Sequence, residues 1–148
     1  MESATPQGAI TETIAFRLVK LGALASARFA EKIEGYGVRP KHVGLLAAIE
    51  AGVAGSQLEL ARALGVAPSV VVTNVDDMER LGALRRVRDQ DDRRRQNLVL
   101  TPRGRALLEG CAAAAREVDA EVTAELDETQ RIFLRELLGV LADTKGVT

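Results

Sequence analysis

The run SQLELARALGVAPSVVVTNVDDMERLG, Ser56 to Gly82, decides the fold. Ser56 followed three residues later by Glu59 is a capping box, so a helix opens there and carries Leu58, Leu60, Ala61 and Leu64 to a stop at Gly65. Pro68 suits the first position of a second helix, which runs through Val71, Val75 and Met78 to Leu81 and stops at Gly82. Two short helices joined by a glycine-containing turn form a helix-turn-helix.

Working outward, Ala83 to Arg88 and Gln96 to Thr101 are short enough for two strands, and the charged segment Asp89 to Arg95 between them makes a hairpin. Upstream, Ile14, Leu18, Leu21, Ala25, Phe29 and Ile33 advance by three or four residues, a long apolar stripe that ends at Gly35 to Gly37. A second helix opens at Val38 to Pro40, carries Val43, Leu46, Ala47 and Ile49, and stops in the stretch Ala51 to Gly55. Downstream, Thr101 and Pro102 cap a long alanine-rich helix with Leu107, Leu108, Ala115, Val118 and Val122, and Asp127 with Gln130 opens a last helix through Phe133, Leu137 and Leu141. The expected fold is mainly α with a small β-hairpin: a winged helix-turn-helix lobe between amino- and carboxyl-terminal helices.

With 148 residues, 47% of them hydrophobic, the chain can close a core without metals or disulfides, and one domain over 1–148 is the expectation. Cys111 has no partner for a disulfide, and one histidine with one cysteine leaves too few ligands for zinc, so no metal or cofactor is expected. No apolar run reaches bilayer length, and Met1 to Gly8 lacks a signal-peptide pattern; the expectation is a cytoplasmic protein with no membrane partner. The net charge of -1 conceals a segregation: residues 85–105 carry eight arginines against three aspartates, a net of +5, and residues 109–148 carry a net of -5.

The run Gly65 to Ser69, with Val75, Asp76 and Glu79 to Gly82, then Asp92, Arg93, Arg94 and Leu98 to Gly104, resembles the MarR family of bacterial regulators. The likeness spans roughly Val38 to Leu108 and combines the recognition-helix frame, the Asp-Arg-Arg wing and the Leu-Thr-x-x-Gly restart. It implies a homodimer, its terminal helices (9–35 and 102–145) interlocked and each 38–101 lobe on half of a pseudo-palindromic operator. It implies repression as the commoner outcome, and release by a small aromatic or anionic effector. One departure is that the middle of the recognition helix, where the family often has Thr then Arg, here has Val72 and Thr73, with Asp76 and Asp77 following.

The candidate DNA contacts are therefore Ser69, Thr73 and Asn74 as hydrogen-bonders, Val70 as a thymine-methyl contact, and Arg86, Arg88, Arg93, Arg94 and Arg95 of the hairpin. The resemblance makes Arg94 the wing residue that enters the minor groove and Asp92 a structural residue that orients a neighbouring arginine. Arg17, Arg28, Tyr36 and His42 are the candidate effector ligands, His42 being read first as a half-exposed histidine packed at a helix start. Cys111, among alanines, reads as a buried inert thiol. Carboxylates spread around helix faces, with no base-partnered nucleophile and no phosphate loop, argue against an enzyme. The alternative is a helical protein-interaction module with no specific DNA site.

Overall fold

The computed structural model describes residues 8–53 and 55–146. The stretch Met1 to Gly8, read above as free of a signal pattern, lies outside these except for Gly8. Among the described residues six α-helices and one hairpin follow in order: α1 Ile14–Ile33, α2 Pro40–Glu50, α3 Gln57–Leu64, α4 Pro68–Arg80, β1 Leu84–Arg88, β2 Gln96–Leu100, α5 Pro102–Val122 and α6 Glu128–Lys145, with single 3-10 turns at Ile10–Glu12 and Glu34–Tyr36. This is the mainly helical winged-helix architecture expected, the strands each one residue shorter than anticipated.

The helix starts are set by side chains that satisfy otherwise unpaired backbone N–H groups. Ser56 Oγ accepts from Glu59 N at 3.3 Å, and Thr101 Oγ1 accepts from Gly104 N at 3.0 Å. Asp127 and Gln130 form the full reciprocal box of α6, at 2.9 and 3.0 Å. At α3 the expected reciprocity is displaced by one residue: Glu59 accepts from Gly55 N at 3.0 Å. Gly65 ends α3 at φ 64°, a left-handed conformation that a Cβ disfavours. Across it, α3 and α4 turn through 114°.

The lobe core is built from one stripe per element. Leu45 and Leu46 of α2, Leu60 of α3, Val71, Val75 and Met78 of α4, and Leu84, Leu98 and Leu100 of the hairpin are all buried. Helix α5 adds Leu107, Cys111 and Ala114, on a buried stripe that runs from Gly104 to Val118 at spacings of three or four, with the α1 stripe joining only at its end through Phe29 and Ile33. Toward its start, α1 exposes Ile14, Leu18, Leu21 and Leu24, and none of the 18 residues of α6 is buried.

The antiparallel hairpin pairs Leu84 with Leu100 and Arg88 with Gln96, and Leu98 N donates to Gly55 O at 2.9 Å, tying the wing to the loop before α3. Its base is locked to α5. Thr101 N donates to Ala83 O at 3.0 Å and Thr101 Oγ1 to Gly82 O at 2.6 Å. A Cβ on Gly104 would lie 1.8 Å from the Ala83 carbonyl oxygen, so only glycine permits this approach.

Candidate nucleic-acid interface

Helix α4 divides its residues by their spacing. Val71, Asn74, Val75 and Met78 face inward, while Ser69, Val70, Val72, Thr73 and Asp76 face out. Asn74 is thus not the surface hydrogen-bonder expected from its polarity: at 5% exposure it shares the core stripe, three residues from Val71 and four from Met78, and its Oδ1 has no partner. Thr73 donates its hydroxyl to Ser69 O at 3.0 Å.

The wing tip is organised by carboxylates. Asp89 Oδ1 accepts from Asp91 N at 2.9 Å and its Oδ2 from Asn97 Nδ2 at 3.3 Å. These bonds, the Asp91 N–H foremost, hold the Asp89 carboxyl below the usual carboxylate range. Sequence reasoning missed Asp89; an aspartate two residues before another polar residue at a hairpin bend was the available signal. Asp92 Oδ1 accepts from Arg94 N at 3.0 Å, and Asp92 O from Arg95 N at 2.9 Å. Asp92 therefore orients Arg94 through the main chain, not through a guanidinium.

The five wing arginines fall into two groups. Arg86 bridges to Asp76 at 2.6 Å and Glu79 at 2.5 Å and reaches Gln57, its side chain 22% exposed. Its guanidinium, raised above the ordinary arginine range first by the Asp76 hydrogen bond, is a strut between β1 and α4 rather than a free cation for phosphate. Arg95 pairs with Glu59, whose carboxyl is pulled down chiefly by the Gly55 N–H. Arg88, Arg93 and Arg94 are exposed and make no ion pair among the described residues.

Between the start of α3, the start of α4 and the wing lies an open cleft of about 720 Å³, lined by Arg62, Val72, Arg88, Arg93, Arg94 and Arg95 together with Glu59 and Asp92. Arg62 was missed; its signal was a cation in the last turn of the first helix of the helix-turn-helix, one helix away from the wing in sequence. On the other side of α4, Lys41 lies beside Ser69, Val70 and Thr73. Cations thus flank the exposed helix face on both sides, a layout suited to phosphates on either side of a groove.

The four candidate effector residues are not brought together. Arg28 lines a shallow site with Leu24 and Glu121, and Tyr36 packs against Gly110, where a Cβ would lie 2.7 Å from its hydroxyl. Arg17 is exposed on α1. His42 borders a cleft of about 780 Å³ between the end of α1, the start of α2 and the end of α4. Its nitrogens are already used: Nδ1 accepts from Arg39 N at 3.1 Å and Nε2 lies 3.2 Å from Asp77 Oδ2. Burial lowers its pKa despite Asp77, so the ring is neutral with the proton on Nε2, the tautomer the two partners demand. Asp77 is correspondingly lowered, first by His42. Cys111 is buried and its thiol pushed up by desolvation.

Among the described residues no cluster of His, Cys, Asp and Glu could hold a metal ion, and no single helix is long and apolar enough to cross a membrane. A family model described as MarR family matches residues 36–95. No curated protein matches the chain. Among solved structures, a probable transcriptional regulator from Pseudomonas aeruginosa is 32% identical with a TM-score of 0.74, covering 90% of this chain and 99% of its own. A Mycobacterium tuberculosis MarR family protein in complex with DNA is 26% identical with a TM-score of 0.75, covering 87% and 97%. The same protein in complex with salicylic acid aligns at 27% identity and a TM-score of 0.75, covering 91% and 98%.

Proposed function

The chain belongs to the MarR family of transcriptional regulators, and from that premise we propose that it is a homodimeric repressor acting in the cytoplasm on a pseudo-palindromic operator. The observation that carries the DNA reading is the exposed face of α4 flanked by the unpaired Arg88, Arg93 and Arg94 on one side and Lys41 on the other. Ser69, Val70 and Thr73 would meet base edges, and the wing arginines would meet phosphates and the minor groove. The DNA complex of the M. tuberculosis relative supports this use of the fold.

The dimer reading rests on surface. The chain has 10654 Å² accessible, against about 7300 Å² for a compact monomer of its mass. The surplus includes Leu18 and Leu21 of α1 and Phe133, Leu137 and Leu141 of α6, all at least 45% exposed in the single chain. A second copy that interlocks regions 9–35 and 102–145 would cover them, leaving the 38–101 lobe outward. A chain ending before Asp127 should lose the dimer, as sedimentation would show.

Release by a small aromatic anion is supported by the salicylic acid complex of the relative. In this chain it would act by shifting the spacing of two lobes set about one DNA turn apart. Selection of bound sequences from a random duplex pool, followed by gel shifts at several salt concentrations, tests the proposal. A palindrome bound with a steep salt dependence is expected; uniform weak binding of every sequence would reject the operator.

A further inference from the structure

Resting on the DNA-binding reading above, we infer that the recognition helix reads its half-site mainly through the C5-methyl groups of thymine, with the isopropyl groups of Val70 and Val72 as the contacts. These side chains are 41% and 40% exposed in the first two turns of α4, the part of a recognition helix that meets base edges. The same turns hold no cation, and their one carboxamide, Asn74, is buried in the core stripe. Thr73 has donated its hydroxyl proton to Ser69 O, and the Asp76 carboxylate is held by Arg86.

Guanine presents two acceptors, N7 and O6, in the major groove and calls for donors; thymine presents a methyl group beside O4. The exposed side of these turns offers Ser69 as its one unspent hydroxyl donor and an isopropyl group on each of its two flanks, so the methyl contacts are the larger source of discrimination open to it. The choice of residue points the same way. Valine is a poorer helix former than alanine, lysine or glutamate, so two solvent-facing valines weaken α4 unless they make a contact.

Charge complementarity names the occupant. Val72 lines the cleft with Arg62, Arg88, Arg93 and Arg94, and Val70 lies beside Lys41. Phosphates of the two strands drawn to these two sets of cations would set α4 in the groove between them, with one valine on each flank of the helix toward the base edges.

The test uses the full-length protein and the duplex recovered by selection. Each thymine is replaced in turn by deoxyuridine, which deletes the methyl group and leaves every hydrogen-bonding group in place. At one or two positions per half-site the affinity should fall about fourfold, the value of one buried methyl-sized group. Replacement of guanines by 7-deazaguanine should change it less than that. The double variant Val70→Ala with Val72→Ala, whose helix propensity is higher than that of the parent, should bind the thymine and deoxyuridine duplexes alike, each single variant losing the discrimination at its own thymine. A fully deoxyuridine-substituted operator bound as tightly as the parent overturns the inference, as does a larger loss with 7-deazaguanine. In both cases selective binding itself survives. Failure to recover any selected sequence would instead overturn the DNA-binding reading beneath it.

Discussion

Replacing Arg88, Arg93 and Arg94 together by alanine should flatten the salt dependence of operator binding far more than replacing Arg86 and Arg95. The reason lies in what each guanidinium has already engaged. Arg86 is held by Asp76 and Glu79 and Arg95 by Glu59, whereas the other three have no carboxylate partner among the described residues. A phosphate contact contributes about 0.9 to the slope of log affinity against log salt, so three per lobe amount to about 2.7 and two lobes to about 5. Over a fourfold change in salt, from roughly 50 to 200 mM, the parent should lose about 3 decades of affinity that the triple variant does not. The assay is fluorescence anisotropy with a labelled operator at five or six potassium chloride concentrations. Arg86→Ala should leave the slope nearly intact while lowering stability by about 1 kcal/mol, since its partners are partly exposed. It should also weaken binding by baring Asp76 and Glu79 toward the DNA, and Asp76→Asn with Glu79→Gln in that background should recover the loss. A triple variant with the parental slope would refute the assignment of the wing to the phosphate backbone.

Gly104→Ala should destabilise the protein by about 3 kcal/mol or prevent folding, because its Cβ would collide with the Ala83 carbonyl; an unchanged urea midpoint would refute the close approach. Asn74→Leu should stabilise it by about 1 to 2 kcal/mol in thermal unfolding, replacing an unpartnered buried oxygen by an apolar group on a side chain of the same branching. It should leave operator affinity and its ratio to non-specific binding unchanged, which a base-contacting Asn74 would not allow. His42 is the sole histidine and its pKa is lowered by burial below the ordinary value of 6.5. The unfolded chain therefore takes up the proton first, and stability present above pH 6.5 should fall as the pH drops through 6.5 toward the folded value. His42→Gln should lack this component between pH 7.5 and 5.5; identical pH profiles would show that the ring is not buried as a neutral group.

Much of the fold was legible because it depends on local rules. Ser56 with Glu59, Thr101 with Pro102, and Asp127 with Gln130 mark helix starts through bonds spanning three residues, and the structure makes its capping bonds at all three sites. Less of the interface was legible. The wing arginines look alike in a row, and nothing local distinguishes Arg86, which meets carboxylates of α4, from Arg88 two residues on. Alternation along β1 puts both on one face, but only the fold brings that face at Arg86 against Asp76, ten residues earlier. Arg62 and the wing arginines share a cleft although 26 or more residues of chain separate them.

Composition, capping and apolar spacing in the sequence by themselves determined the order of elements, the helix-turn-helix with its hairpin, and the basic wing beside it, because hydrogen bonds and periodicities of three or four residues act within a few ångströms of chain. The tertiary structure decided which polar groups are spent. Asn74 turned inward because its position shares the stripe of Val71 and Met78, His42 closed a helix cap on one side and met Asp77 on the other, and Arg86 was neutralised across the lobe. A side chain's availability depends on its partners and its solvation, and both come from residues distant in sequence.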